Sequence, residues 1–280
     1  MSRSAGLQWI RHGLTVALTF SLLAVLVFPF VWVVLTSIRP EAEIFSSTFR
    51  LLPKTSTLQS YRALLATTTF PGYIRNSLFV CLASTLLSVT VSLLAAYSFS
   101  RRRFCWRNTL LIVVVFSQLF PFVILITPIY VIFYQLKLVN TYLGLIIAYI
   151  AITVPFSVYM LLSYLDSVPR ELDEAAIIDG CSTLDVIRRV ILPVAWPGVG
   201  ATTIYSFAQA WNEYLIALTL VTKNELKTIP VGLASFFGEF TTRWDLVMAA
   251  SVVATVPALI IFLLLQRQLV SGLTAGAVKQ

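Results

Sequence analysis

The sequence has 280 residues, of which 11% are charged and 58% hydrophobic, and its mean hydropathy is +0.88. A soluble domain carries roughly 25% charged residues, so this chain lacks the polar surface to face water on all sides and is read as a multi-pass membrane protein. Its net charge of +8 comes from 20 Lys and Arg against 12 Asp and Glu; the bases cluster beside apolar runs, which orients membrane helices and argues against nucleic acid as a partner.

The first predicted element is a span over 14–38, 25 residues without a charge, or about 37 Å of helix against a ~30 Å hydrocarbon core. Arg3 and Arg11 precede it, as in a signal peptide. The apolar run is longer than such a segment needs and no small-x-small cleavage site precedes Arg39, so a retained helix is expected. Further spans are predicted at about 76–100, 108–134, 141–165, 198–220 and 246–266, the fifth carrying a single charge, Glu213. Pro121, Pro128 and Pro155 fall inside the third and fourth, where a membrane helix tolerates a kink. The expected fold is an all-α integral membrane protein of six transmembrane helices forming one domain over 1–280.

Six spans put both termini on one side. The tight segment 101–107, with Arg101, Arg102, Arg103 and Arg107, assigns that side to the cytoplasm, because short loops carry the positive-inside signal. The segment between the fourth and fifth spans, 166–196, is then also cytoplasmic. Pro169 suits a helix start, and Glu171, Asp173 and Glu174 place acids in the first turns, where the helix dipole favours them. Gly180 is placed to end that helix in a left-handed conformation. Ser182 caps a second helix with Asp185 three residues on. Leu184, Ile187 and Ile191 share a face of that helix at 3.6-residue spacing, and Pro193 closes it. Two short amphipathic helices beside a membrane leave an apolar face that either lies on lipid or meets a protein partner.

Glu174-Ala175-Ala176, three residues, Gly180, nine residues and Val190-Ile191-Leu192-Pro193 resemble the EAA loop of ABC-importer permeases, with Val190 as the one departure. Ala95–Arg101, the Trp211-Asn212-Glu213-Tyr214 run and the ending Gly272–Lys279 are similar to the smaller permease subunit of maltose-type carbohydrate importers. The resemblance implies that Glu174, Ala175, Ala176, Gly180, Leu184, Ile187 and Pro193 couple transport to an ATPase. It implies that the tail residues Gly272, Leu273, Thr274 and Gly276 lie at the ATPase interface. It also implies four partner classes: a second, homologous permease, two ATP-binding subunits, an extracytoplasmic solute-binding protein and membrane lipid. The expected location is the plasma (inner) membrane of a bacterium or archaeon.

No Gly-Lys pair occurs, so no Walker A loop can be built, and ATP and Mg²⁺ are expected on a partner rather than on this chain. His12 is the sole histidine, and Cys81, Cys105 and Cys181 are widely spaced; neither a catalytic triad, a His-based zinc site nor a disulfide framework follows. The chain is not expected to be an enzyme. The rival readings are an ion-coupled secondary transporter, for which Glu213 is the one buried ionisable candidate, and an importer of a non-sugar solute. Trp211, Asn212, Glu213 and Tyr214 are candidates for the pore or for the permease interface. For Glu213 itself three roles compete: pairing with a base on the other permease, lining the solute path, or an outer-rim position with no partner.

Overall fold

The computed structural model describes the backbone of residues 2–46, 50–238 and 242–277, and side chains for 11–46, 50–238 and 242–268. Among these residues the secondary structure is helical, apart from one antiparallel bridge between Phe237 and Thr242. The chain forms two compact units. Met1–Thr68 with Ser235–Val253 make one, and Thr69–Ala234 with Ala254–Gln280 make the other.

The first unit holds α1 (Ser2–Ser37), α2 (Glu41–Ile44), α3 (Gln59–Ala66) and the start of α14 (Trp244–Ala277). The apolar stretch of α1 is exposed all round, as suits a helix whose solvent is lipid. Beyond its end Arg39 is buried, donating to the carbonyls of Arg50 (2.7 Å) and Leu51 (2.6 Å) with its guanidinium 5.1 Å from the Trp32 ring centre. Arg243 pairs with Asp245 through two contacts of 3.0 Å, and the Asp245 carboxylate holds its guanidinium pKa above the usual value.

The second unit is built on α4 (Phe70–Arg101), α7 (Tyr142–Leu165) and α11 (Trp196–Trp211). Lipid offers no hydrophobic drive between helices, so membrane helices associate through small residues and interhelical hydrogen bonds. The seam here follows that rule. Ser77, Ser84, Ser88 and Ser92 of α4 are buried along one stripe, and Ser88 meets Thr153 of α7 at 2.7 Å. Ser157 of α7 meets Ser206 of α11 at 2.9 Å. A Cβ on Gly198 would lie 2.6 Å from Cγ of the Tyr164 ring, so the approach of α11 to α7 requires glycine there. Thr141 caps α7, accepting from the Gly144 amide at 3.0 Å.

Among the described residues, four helices are long and apolar enough to cross a membrane: Arg11–Ser37 within α1, α4, α7 and Trp244–Gln268 within α14. The third and fifth predicted spans are not single helices. The third divides into α5 (Arg107–Phe116) and α6 (Phe122–Gln135). Pro121, expected as a tolerated kink, precedes α6 instead. It has no N–H to give and restrains the residue before it, while Ser117 turns its hydroxyl back to the Val114 carbonyl. Pro128 and Pro155 do lie within helices. The fifth divides into α11 and α12 (Leu215–Leu220) at Asn212–Tyr214. Beyond it lie a short 3₁₀ turn, Asn224–Leu226, and α13 (Ile229–Ala234).

Candidate functional site: a coupling loop and a polar cavity

Between α7 and α11 the chain folds into α8 (Glu171–Ile178), α9 (Thr183–Asp185), a π-helical turn (Val186–Ile191) and α10 (Leu192–Val194). Gly180 separates the first helix from the second with φ +84°, a conformation in which a Cβ is strained. Ser182 accepts from the Asp185 amide at 3.3 Å. Its hydroxyl, and after it Arg189, hold the Asp185 carboxyl below the usual carboxylate range. Pro193 does not close the second helix. The chain runs on to Val194 and turns at Ala195, where Thr183–Val194 and α11 meet at 83°.

The π-helical turn also changes which side chains share a face. Leu184, Ile187 and Ile191 align at α-helical spacing, but bonds from i to i+5 widen the turn. Val186, Ile187 and Ile191 are packed inside, against Ala176, Leu165 and Val199 among others, while Leu184 is exposed. Ile187 is therefore a core residue of the loop, not part of an outer face. The exposed apolar side chains of the loop include Ile177, Ile178 and Leu184, with Ile178 85% exposed. Glu174, Ala175 and Pro193 are exposed beside it, and Ala176 is buried.

The loop is fastened to the ends of α4 and α7 by groups that the sequence does not single out. Arg101 pairs with Asp173 at 2.9 Å, both side chains only 8% exposed. Arg101 also donates to the carbonyls of Leu165 (3.2 Å) and Val168 (3.0 Å). Arg170 donates to the Ser100 carbonyl at 2.6 Å, and the Ser100 hydroxyl to Asp166 at 2.7 Å. In the sequence Arg101 reads as one of four orienting bases and Asp173 as one of three acids in a first turn. Neither signal tells that the two meet. Glu174 borders a pocket of about 240 Å³ together with Arg101, Arg102 and Arg170.

The second feature is a cavity of about 650 Å³ walled by the α5–α6 break, α7 and the α11–α12 break. Asn212, Glu213 and Tyr214 line it, together with Ser117, Gln118, Tyr205 and Gln209. Trp211 does not. It is buried, stacked on Phe207 with ring centres 5.3 Å apart, and its indole N–H donates to the Ala254 carbonyl at 3.1 Å. It is a packing residue of the second unit. Glu213 has a role absent from the three proposed from sequence. Its two carboxylate oxygens accept the amides of Ile216 (2.8 Å) and Ala217 (3.0 Å), capping α12. A new helix start leaves orphan N–H groups and a partial positive charge, and a carboxylate satisfies both. Gly272, Leu273, Thr274 and Gly276 lie in the last turns of α14, and their side chains fall outside the described residues.

Comparison with known proteins gives this arrangement a family. Residues 88–275 match the family described as "Binding-protein-dependent transport system inner membrane component". The chain is 40% identical over 255 residues to the trehalose/maltose transport system permease protein MalG of Thermococcus litoralis, covering 90% of this chain and 91% of that protein. It is 36% identical over 252 residues to the sulfoquinovosyl glycerol transport system permease protein SmoH of Agrobacterium fabrum, covering 90% and 88%. In fold it matches a bacterial ABC transporter involved in the import of the acidic polysaccharide alginate, with TM-score 0.80 at 22% identity over 95% of this chain and 98% of that one. With two thirds of its length inside the family and full-length relatives above 30% identity, the chain belongs to the inner-membrane permease components of binding-protein-dependent ABC importers.

Proposed function

We propose that this chain is the smaller of two permeases lining the path of a carbohydrate across the plasma (inner) membrane. It crosses six times, with α5–α6 and α11–α12 as two broken spans, both termini in the cytoplasm and the loop 166–196 on the same side. Alone, α5 and α6 are about 15 and 21 Å long, short of a ~30 Å core, and in sequence they add up to one crossing. The four arginines between Arg101 and Arg107 support the orientation. Membership of an importer family sets aside the ion-coupled secondary transporter.

On this reading the exposed Ile177, Ile178 and Leu184 dock on one of two cytoplasmic ATPases, which hold the ATP and Mg²⁺, and an extracytoplasmic protein delivers the sugar. The coupling loop carries the proposal. Its outer face is apolar and exposed, while its inner face is tied by a buried ion pair to the end of α4. A surface that rested on lipid alone would need no such rigid link. Carbohydrate is supported by the substrates named for the sequence relatives, trehalose/maltose and sulfoquinovosyl glycerol. The test is Ile178→Asp in the reconstituted importer. ATP hydrolysis stimulated by sugar-loaded binding protein should fall at least about tenfold, as expected for losing one well-buried anchor of an interface, with both permeases still assembled. Unchanged stimulated hydrolysis would refute docking through this face.

A further inference from the structure

The hairpin between α4 and α5 carries more positive charge than the fold uses. Of its four arginines, Arg101 is taken by Asp173 and the carbonyls of Leu165 and Val168, while Arg107 turns back to the Phe99 carbonyl at 2.6 Å and to Asn108 at 3.2 Å. Arg102 and Arg103 are exposed, and among the described residues neither enters an ion pair. Glu174 borders the same pocket as Arg102 without pairing with it, and the carboxylates of Asp166 and Asp173 are engaged by Ser100 and Arg101. The hairpin is ordered by its own contacts. Phe104 lies against Phe99 with ring centres 5.8 Å apart, and the Arg107 amide donates to the Phe104 carbonyl at 3.1 Å. Trp106 stands 67% exposed beside α5, which starts at Arg107 with no side-chain cap, so its first amides and its dipole add to the positive field.

The level of the hairpin in the bilayer follows from its two flanks. Val91 and Leu94 of α4 and Leu110, Ile112 and Val113 of α5 are exposed apolar side chains. Arg102 lies about 12 Å along the chain from Leu94, and Trp106 about 6 Å from Leu110, at helical rise. The headgroup layer is roughly 5–8 Å thick on each side of the hydrocarbon. Arg102 and Arg103 therefore stand among headgroups, with Trp106 at their inner edge, where tryptophan rings gather. We propose that this hairpin seats an anionic phospholipid, its phosphate held by the Arg102 and Arg103 guanidiniums and its upper acyl chain covered by Trp106. A planar guanidinium offers paired N–H groups that match two phosphate oxygens, and a hairpin already ordered loses little freedom on binding. Lipid is favoured over a protein partner because apolar, exposed residues lead up to the hairpin from both helices. The site holds for either orientation of the chain, since it needs only a bilayer surface. It lies one residue from Arg101, the group that ties α4 to the coupling loop.

Cys105, exposed within the hairpin, is a native reporter. The whole importer is reconstituted in phosphatidylcholine nanodiscs, with Cys181→Ser on this chain and the partner chains cleared of accessible cysteines; Cys81 is buried and is left in place. Cys105 carries an uncharged bimane, and its quenching is titrated with phosphatidylglycerol or phosphatidylcholine whose acyl chains are brominated near the headgroup. Half-maximal quenching should need at least about tenfold less phosphatidylglycerol than phosphatidylcholine, each arginine beside an anionic headgroup contributing about fivefold. Arg102→Gln with Arg103→Gln should remove the preference. Arg102→Lys with Arg103→Lys keeps the charge and loses the planar fork, so the preference should fall at least about threefold. Equal half-points for the two lipids in the unsubstituted hairpin would overturn the proposal, as would a preference that the glutamine pair leaves unchanged. Full preference in the lysine pair would also overturn it, by showing a diffuse surface potential in place of a phosphate seat. Release of the quenching by excess inorganic phosphate would assign the arginines to a free anion. Quenching that appears only after the ATPases are stripped away would assign the hairpin to a protein interface. Either result would overturn the lipid as its occupant.

Discussion

Arg101 ends α4 with its guanidinium shared among four groups, the Asp173 carboxylate, the carbonyls of Leu165 and Val168 and the Ser100 hydroxyl. Removing one partner of a buried pair leaves the other charge without compensation and costs about 3–5 kcal/mol. Asp173→Ala should therefore loosen the coupling loop from α4 and α7, seen as a lower melting temperature and faster proteolysis within 166–196. Wild-type stability would show that the three remaining hydrogen bonds suffice to hold Arg101. Seven residues after Asp173, a substitution at Gly180 is strained by conformation alone, because a Cβ there would touch nothing within 4 Å. Gly180→Val should cost roughly 1 kcal/mol or more through its positive φ and lower the ATP hydrolysed per sugar-loaded binding event, with insertion unaffected. Equal coupling in the variant would remove the loop angle from the account. These two residues differ in how far the sequence discloses them. The role of Gly180 is legible, since helix ends select glycine by a local rule. The partnership of Arg101 with Asp173 joins positions 72 apart, and no local pattern encodes it.

Helix breaks show the same division at the level of whole elements. Hydropathy finds the apolar runs that form α1, α4, α7 and α14, because a long charge-free stretch is summed over many residues and survives local detail. It misses the breaks in 108–134 and 198–220. An apolar count does not register where a backbone N–H loses its acceptor, and none of the three roles open to Glu213 in the sequence, pairing with a base, lining the path or sitting at a rim, includes its partnership with two amides of its own chain. The same capping places Asn212 and Tyr214 on the cavity while Trp211 turns into the packing of the second unit. Packing of α11 on α7 gives a separate test. Gly198→Val would drive its Cβ toward the Tyr164 ring, 2.6 Å away, and overpacking of this kind costs about 1–3 kcal/mol. The variant should melt lower in detergent, and Tyr164→Ala should restore part of the loss. An additive double variant would mean that the ring is not what the new side chain meets.

For the whole molecule, orientation is the property on which every docking statement depends, and the native thiols report it. Cys105 is exposed, Cys181 half-exposed and Cys81 buried. A membrane-impermeant maleimide should modify Cys105 and Cys181 in inside-out vesicles, spare both in right-side-out vesicles and leave Cys81 untouched in either. Modification of Cys181 from the outer face would reverse the topology and take the coupling loop away from the ATPases. The right-angled bend at Ala195 has a mechanical consequence. Ala195 is fully buried and its amide is bonded to the Ile191 carbonyl at 2.7 Å, which ties the bend to the turn before it. On the proposed topology the short arm, Thr183–Val194, lies outside the bilayer, and the long arm, α11, ends at Trp211, next to Asn212 on the cavity. Turning as one, the two arms would act as a bell crank: a rotation of roughly 10° imposed on the short arm would carry the far end of a rod about 24 Å long through about 4 Å. A displacement of that size is comparable to the thickness of a sugar ring, so on the proposed coupling an ATPase stroke would move the cavity wall by about the size of its cargo.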